Sequence, residues 1–208
     1  MEKIKNVIFD LGGVVLHLDR LQAVARFKAM GVEEAEQMLD AYHQNGVFLQ
    51  VEDGSLSAEE FCTEIRKLTG NEDLPYQTIA DGWLGFIKEI PMYKLNYILE
   101  LRKKCNVYLL SNTNPFIMEW ARSKAFTPEG RPITDYFDRL YASYELKMVK
   151  PNPAIFDFIL KDSGAIPSET LFLDDGKANV EEAAKFGIHI YQPQDGEDWR
   201  NVVDSYLE

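Results

Sequence analysis

The sequence predicts an α/β fold, a parallel sheet with helices on both faces, interrupted by an inserted α-helical segment. Three observations carry this. After residue 90, short apolar runs alternate with stretches of helical periodicity, the pattern of a parallel sheet with crossover helices. Residues 16–88 lack that alternation and read as helices alone. Polar residues suited to chemistry stand at the ends of the apolar runs, where parallel sheets open their ligand crevices.

Val7-Ile8-Phe9 reads as a buried first strand that opens at Asp10 into Leu11-Gly12-Gly13-Val14-Val15. Within the insert the spacing predicts helices over Leu21 to Met30, Glu33 to Tyr42, Ala58 to Leu68 and Gln77 to Phe86, punctuated by Gly31, Gly46, Gly54 and Gly70. Ser57 followed by Glu60 makes a capping box for the third of these. Leu95, Ile98 and Leu99 then share a helical face, followed by a strand at 107–110, a helix near 116–124 and a strand at 139–142. A helix at 153–163, a strand at 170–173, a helix at 180–186 and a strand at 188–191 complete the pattern.

A chain of 208 residues has room for one sizeable core and an inserted module, which places residues 1–15 and 89–208 in the core and 16–88 in the insert. With 46% apolar and 27% charged residues, the composition is that of an ordinary globular protein. A formal net charge of -12 disfavours nonspecific binding to nucleic acid or to an anionic membrane. No apolar stretch approaches the roughly 20 residues that span a bilayer. Cys62 and Cys105, in a chain without a signal-like start, are expected to be reduced thiols in the cytoplasm. Nothing in the sequence specifies an oligomeric state.

Read alone, Asp10 is compatible with capping a turn, binding a metal or attacking an electrophile. Three later segments narrow the choice. Ser111 ends Val107-Tyr108-Leu109-Leu110 and opens Ser111-Asn112-Thr113-Asn114-Pro115, where a hydroxyl, an amide and free N–H groups suit phosphate oxygens. Lys150 precedes Pro151 at the start of a helix, a rigid placement for an ammonium that offsets phosphoryl charge, with Lys147 the weaker candidate nearby. Asp174-Asp175 ends Leu171-Phe172-Leu173, and two adjacent carboxylates there call for a hard divalent cation such as Mg2+.

These residues resemble the haloacid dehalogenase-like phosphohydrolases along nearly the whole chain. Four motifs occur in the family's order: Phe9-Asp10-Leu11-Gly12-Gly13-Val14-Val15, Leu110-Ser111-Asn112-Thr113-Asn114, Lys150-Pro151, and Phe172-Leu173-Asp174-Asp175 with Asn179 four residues beyond. Glu52-Asp53-Gly54-Ser55-Leu56-Ser57 and Gly82-Trp83 look like the sugar-1-phosphate phosphatase branch. The resemblance implies a Rossmann-like core and a helical cap. It implies a Mg2+-dependent phosphatase of a small phosphorylated metabolite, with a sugar 1-phosphate as the candidate, working through an aspartyl-phosphate on Asp10. Mg2+ would be bound by Asp10, the Gly12 carbonyl and Asp175. Asp174 would act through water or orient its neighbour, Ser111 and Asn112 would hold the phosphoryl group, Lys150 would neutralise charge, and Asn179 would support the lysine and the acidic loop.

One departure matters. Most phosphatases of the family carry a second aspartate two residues after the nucleophile, as proton donor and later as base; here that position is Gly12. General acid–base help is typically worth about 10²- to 10⁴-fold, so the gap leaves open a catalytically impaired binding or regulatory member. A 2-haloacid dehalogenase, which needs no metal, is a further alternative, opposed by the acidic pair Asp174-Asp175, which would repel a carboxylate substrate. His17, Tyr42, His43, Phe48 and Trp83 are candidate substrate contacts from the cap, and His17 or Asp19 is a candidate replacement proton donor.

Overall fold

Val7 and Phe9, Val107 and Leu109, and Leu171 and Leu173 pack into one hydrophobic core, whereas Ile8, Tyr108, Leu110 and Phe172 pack into a second. That period of two, with both sets buried, is what central strands of a sheet covered on two faces require. The computed structural model describes residues 3–39, 44–194 and 196–207. In chain order, β1 (Asn6–Phe9) is followed by an insert of β2 (His17–Leu18), α1 (Arg20–Ala29), α2 (Ala35–Met38), α3 (Gly46–Glu52), α4 (Ala58–Thr69), α5 (Tyr76–Leu84) and β3 (Ile87–Glu89). Then come α6 (Met92–Leu101), β4 (Asn106–Ser111), α7 (Pro115–Ala121), β5 (Arg139–Ala142), α8 (Ser143–Leu146) and α9 (Pro153–Ser163). The chain continues through β6 (Thr170–Leu173), α10 (Lys177–Ala184), β7 (His189–Tyr191) and α11 (Arg200–Leu207).

The five-stranded sheet has the order β5-β4-β1-β6-β7, and every neighbouring pair is parallel. The predicted α/β class is therefore the observed one. On one face, Ile155, Phe156 and Ile159 of α9 and Val180 and Ala183 of α10 pack on the sheet. On the other, α6 and the Trp199-Val203 region join a core that runs on without a break into the insert. Strands β2 and β3 form a separate antiparallel pair where the insert leaves and rejoins the chain. They are too short for any periodicity to reveal them in the sequence.

The insert is organised around aromatic rings. Phe48 of α3 meets Phe27 of α1 edge-on at 4.9 Å, Phe61 of α4 at 5.3 Å and Trp83 of α5 at 5.4 Å between centroids. Phe61 and Tyr76 in turn reach Phe116 of α7, at 5.5 and 5.3 Å, and so tie the insert to the sheet side of the molecule. The predicted capping box is present: Ser57 Oγ accepts from Glu60 N at 3.2 Å, and Glu60 Oε2 accepts from Ser57 N at 2.8 Å.

One expected helix is shorter than its periodicity suggests, and two further helices, α3 and α11, lie outside the expected elements. The helix expected over Glu33 to Tyr42 ends at Met38, because the Arg20 guanidinium takes the carbonyls of Glu36 and Leu39 and the chain turns away at Leu39. Residues Tyr42 and His43 lie outside the described residues. Helix α3, between Gly46 and Gly54, has no side-chain cap and is held by burial of Phe48 and Val51 rather than by local signals. Helix α11 is anchored by Trp199, whose ring lies 4.7 Å from Phe9.

Phe48 is fully buried in the ring cluster and does not reach the cavity described below, so it is a packing residue and not a substrate contact. Phe48→Ala is expected to lower stability by about 3 to 5 kcal/mol, read as a shifted urea midpoint at unchanged slope, while leaving relative rates among substrates as they were.

Candidate active site

Strand register builds the site. Phe9 lies beside Leu109 and Leu173, so Asp10, Leu110 and Asp174 follow at the same carboxyl edge of the sheet, with Ser111 one residue on. Asp10 N donates to the Leu173 carbonyl at 2.9 Å, which keeps the first loop in the strand's line as it leaves the sheet. Gly13, at φ +72°, turns that loop, and a Cβ there would stand 2.3 Å from Asp175 Oδ2. The first loop and the acidic loop are thus packed against each other at a contact only glycine permits.

Lys150 lies at the centre of the group. Its Nζ meets Asp174 Oδ2 at 2.5 Å, Asp10 Oδ1 at 2.9 Å and the Leu110 carbonyl at 2.9 Å, with the side chain 1% exposed. Burial by itself would lower the pKa of the ammonium, but the carboxylates of Asp10 and Asp174 outweigh it and hold the group above its ordinary value. Asn112 fixes the lysine backbone through two bonds, donating Nδ2–H to Lys150 O at 2.9 Å and accepting from Lys150 N at 2.8 Å. The side chain of Asn112, expected on the phosphoryl group, is therefore committed to positioning the lysine.

Asp174 is wholly buried, and its other oxygen accepts from Gly176 N and from Asn179 Nδ2, both at 2.8 Å. Asn179 thus holds Asp174, which holds Lys150. Asp10, Asp174 and Asp175 each bring one oxygen within 4.8 Å of the others. Burial pushes the Asp10 carboxyl up to about 7, Lys150 pulls against that shift, and Asp174 and Asp175 reinforce it. Three carboxylates against one ammonium leave the cluster short of positive charge. The oxygen-only donor set fits a hard divalent cation.

A cavity of about 480 Å³ opens over this edge, lined by Asp10, Gly12, Ser111, Lys150, Asp175 and Asn179 among others. Its roof comes from the insert: Gln44, Glu52, Trp83, Phe86 and Ile87. Ser111 Oγ has only a long contact, 3.4 Å, to the neighbouring Asn112 carbonyl, so its hydroxyl faces the cavity largely uncommitted. Among the described residues, Trp83 Nε1 and Gln44 Oε1 are buried without a hydrogen-bond partner, a donor and an acceptor on cavity-lining side chains.

Other candidates fall elsewhere. Leu16 and Leu18 line the cavity, and His17 between them pairs through Nδ1 with Glu89 Oε2 at 3.1 Å, as strand alternation requires. Asp19 caps α1 by accepting from Gln22 N at 3.1 Å. Lys147 terminates α8 in a left-handed conformation and does not line the cavity. At Gly12 an added Cβ would stand 2.6 Å from Leu18 Cδ1, so a side chain at this position would meet the tip of that leucine.

Asn114 and Glu52 are among the cavity residues that the sequence does not mark as site candidates. Asn114 caps α7 by accepting from Ile117 N at 3.1 Å, and its amide also bonds the carboxyl of Glu52. Burial raises the Glu52 pKa to about 8; the Asn114 bond works against the shift, and Asp10 and Asp53 add to it. Glu52 read as part of a cap-region motif, and nothing local marked its side chain as facing Asp10.

Residues 4–187 match the haloacid dehalogenase-like hydrolase family. The chain belongs to that family. It is 51% identical, over 98% of both sequences, to a D-ribitol-5-phosphate phosphatase of Bacteroides thetaiotaomicron. Among solved structures it is similar to a predicted HAD-like family hydrolase from Porphyromonas gingivalis, with 46% identity, TM-score 0.93 and coverage of 99% and 98% of the two chains. It is also similar to a HAD family enzyme of B. thetaiotaomicron solved with magnesium and inorganic phosphate, with 41% identity, TM-score 0.88 and coverage of 96% and 98%.

Removing the ammonium would leave two buried carboxylates uncompensated. Lys150→Met is expected to cost about 3 to 5 kcal/mol of stability in magnesium-free buffer at neutral pH, measured by urea unfolding. The loss should shrink as the pH falls and the freed carboxylates take up protons.

Proposed function

We propose that this member of the haloacid dehalogenase-like family is a Mg2+-dependent phosphomonoester phosphatase acting on a small phosphorylated sugar or polyol, with residues 16–88 as the cap over its site. The observation that carries the reading is the convergence of Asp10, Asp174 and Asp175 around the buried ammonium of Lys150, at the mouth of a cavity that can hold a small metabolite. The D-ribitol-5-phosphate phosphatase at 51% identity and the neighbour solved with magnesium and phosphate support it. So do the unpartnered Trp83 donor and Gln44 acceptor, a pair that suits a substrate hydroxyl.

In this reading Asp10 attacks phosphorus, and the P–O bond to the substrate alcohol breaks to leave an aspartyl-phosphate that water then hydrolyses. Asp10, Asp175 and the Gly12 carbonyl are the ligands we assign to Mg2+, with Asp174 behind them. Bound Mg2+ would offset negative charge on the phosphoryl oxygens. Lys150 holds Asp10 Oδ1 and presents its ammonium to the transferring group, and the Ser111 hydroxyl donates to a phosphoryl oxygen. The commitment of Asn112 to Lys150 leaves its backbone N–H as its phosphate contact.

D-Ribitol 5-phosphate is the first substrate to test, ahead of the sugar 1-phosphates. Wild-type turnover should require Mg2+, and Asp10→Asn, which keeps size and removes the nucleophile, should reduce kcat by at least about 10³-fold. Metal-independent turnover, or an Asp10→Asn variant near wild-type rate, would overturn this reading; Mg2+ and phosphate binding without turnover would favour the regulatory alternative.

A proton and Mg2+ compete for Asp10. Because its carboxyl is raised to about 7, Mg2+ binding should release close to one proton below that pH and weaken as pH falls further, becoming nearly pH-independent above it. Calorimetric Mg2+ titrations in two buffers of different ionisation enthalpy would measure the release.

A further inference from the structure

Hydrolysis of an alkyl phosphate expels a poor leaving group, and the position that usually carries the proton donor is Gly12, which has no side chain and lies against the tip of Leu18. Another carboxyl group reaches the same cavity from the opposite wall. Glu52 ends α3, lines the cavity with Asp10, and receives the amide of Asn114.

The placement of Glu52 is built rather than incidental. Ser143 Oγ, fully buried, donates to the Glu52 carbonyl at 2.7 Å and accepts from Thr113 N at 2.9 Å, so one hydroxyl joins the end of α3 to the loop after β4. Two residues on, Gly54 at φ +74° passes so close to α8 that an added Cβ would stand 2.2 Å from the Tyr144 carbonyl. The Asn114 amide fixes the carboxyl while its own oxygen caps α7. Two contacts from α8 and one from the residue that caps α7 thus hold Glu52 over the strand ends.

We propose that Glu52 is the catalytic acid–base of this enzyme, standing in from the cap for the carboxylate that position 12 lacks. The inference rests on the phosphatase reading above. In the first step Asp10 attacks phosphorus, the P–O bond to the alcohol breaks, and the alcohol oxygen takes its electron pair and the proton of the Glu52 carboxyl. In the second, Glu52 carboxylate takes a proton from water, whose oxygen attacks phosphorus. The P–O bond to Asp10 breaks with its pair returning to the carboxylate, and inorganic phosphate leaves with both residues restored.

Burial, with Asp10 and Asp53 nearby, raises the Glu52 carboxyl to about 8 against the pull of Asn114, so it carries a proton near neutrality, the state a donor needs. The charged groups around Glu52 are Asp10 across the cavity and Asp53 beside it, with the Lys147 stem against Gly54 from α8.

The test is a series of aryl phosphates of graded leaving-group acidity, ending in an alkyl ester such as D-ribitol 5-phosphate, with Mg2+ and with wild type, Glu52→Gln and Glu52→Asp. Wild-type rates of alcohol release should depend weakly on leaving-group acidity. Glu52→Gln should depend on it steeply, losing about 10²- to 10⁴-fold in kcat for the alkyl ester and least for the most acidic phenol, with KM little moved. It should also accumulate phosphoenzyme after a burst of phenol, because the base for water is gone. Glu52→Asp, which keeps a carboxyl, should retain the shallow dependence at a lower rate. A uniform loss across the series would make Glu52 a binding or packing residue, and an unchanged kcat would remove it from the reaction; either overturns the proposal while the phosphatase reading stands. Wild type inactive on every ester would overturn both.

Discussion

The ammonium of Lys150 lies where almost no water reaches it, between two carboxylates and a strand carbonyl, and most of the local architecture can be traced to keeping it there. Desolvation opposes the charge, so Asp10 and Asp174 must be close and must stay close. Asn179 and the Gly176 N–H hold Asp174, Asn112 holds the lysine backbone, and the strand register sets Asp10 and Asp174 on either side. One cation does not balance three carboxylates. The residual negative charge prepares the cluster for a metal ion, and it is confined to a site on a chain whose overall charge repels phosphate esters. Substrate attraction therefore falls to local groups.

The insert contributes to both the core and the cavity wall, mostly with different residues. Phe27, Phe48, Phe61 and Trp83 interlock as a ring cluster that extends through Phe116 into the sheet side, so the insert has no core separate from the rest. On the cavity side, Gln44, Glu52 and Trp83 present polar groups. Trp83 belongs to both sets: its ring packs in the cluster, while its N–H has no protein partner among the described residues. A substitution there is expected to move stability and selectivity together, unlike one at Phe48.

A Cβ at position 12 would stand 2.6 Å from Leu18 Cδ1, so the first loop lies against the tip of a side chain from another element. Leu18 belongs to β2, paired with β3 at the base of the insert, so the ribbon that joins insert to core also supplies an apolar wall beside Asp10. In the proposed mechanism the acid–base group comes from Glu52 on the insert, and proton transfer then depends on how the insert sits on the core.

The sequence by itself determined the sheet and its edge. Apolar runs such as Val7-Ile8-Phe9 and Leu171-Phe172-Leu173 had to be buried strands, and Asp10, Ser111 and Asp174 had to follow them, because burial and turn chemistry are local properties. Periodicity reports which side chains are buried and not what they meet. That is why no local signal marks α3, which lacks a side-chain cap and is held by Phe48, and why the commitment of the Asn112 side chain to the Lys150 backbone is visible only in the folded chain. It is also why Glu52 read as part of a motif. Its position against Asp10 depends on Ser143, Asn114 and the close pass at Gly54, contacts between segments far apart in the chain that only tertiary packing brings within hydrogen-bond distance.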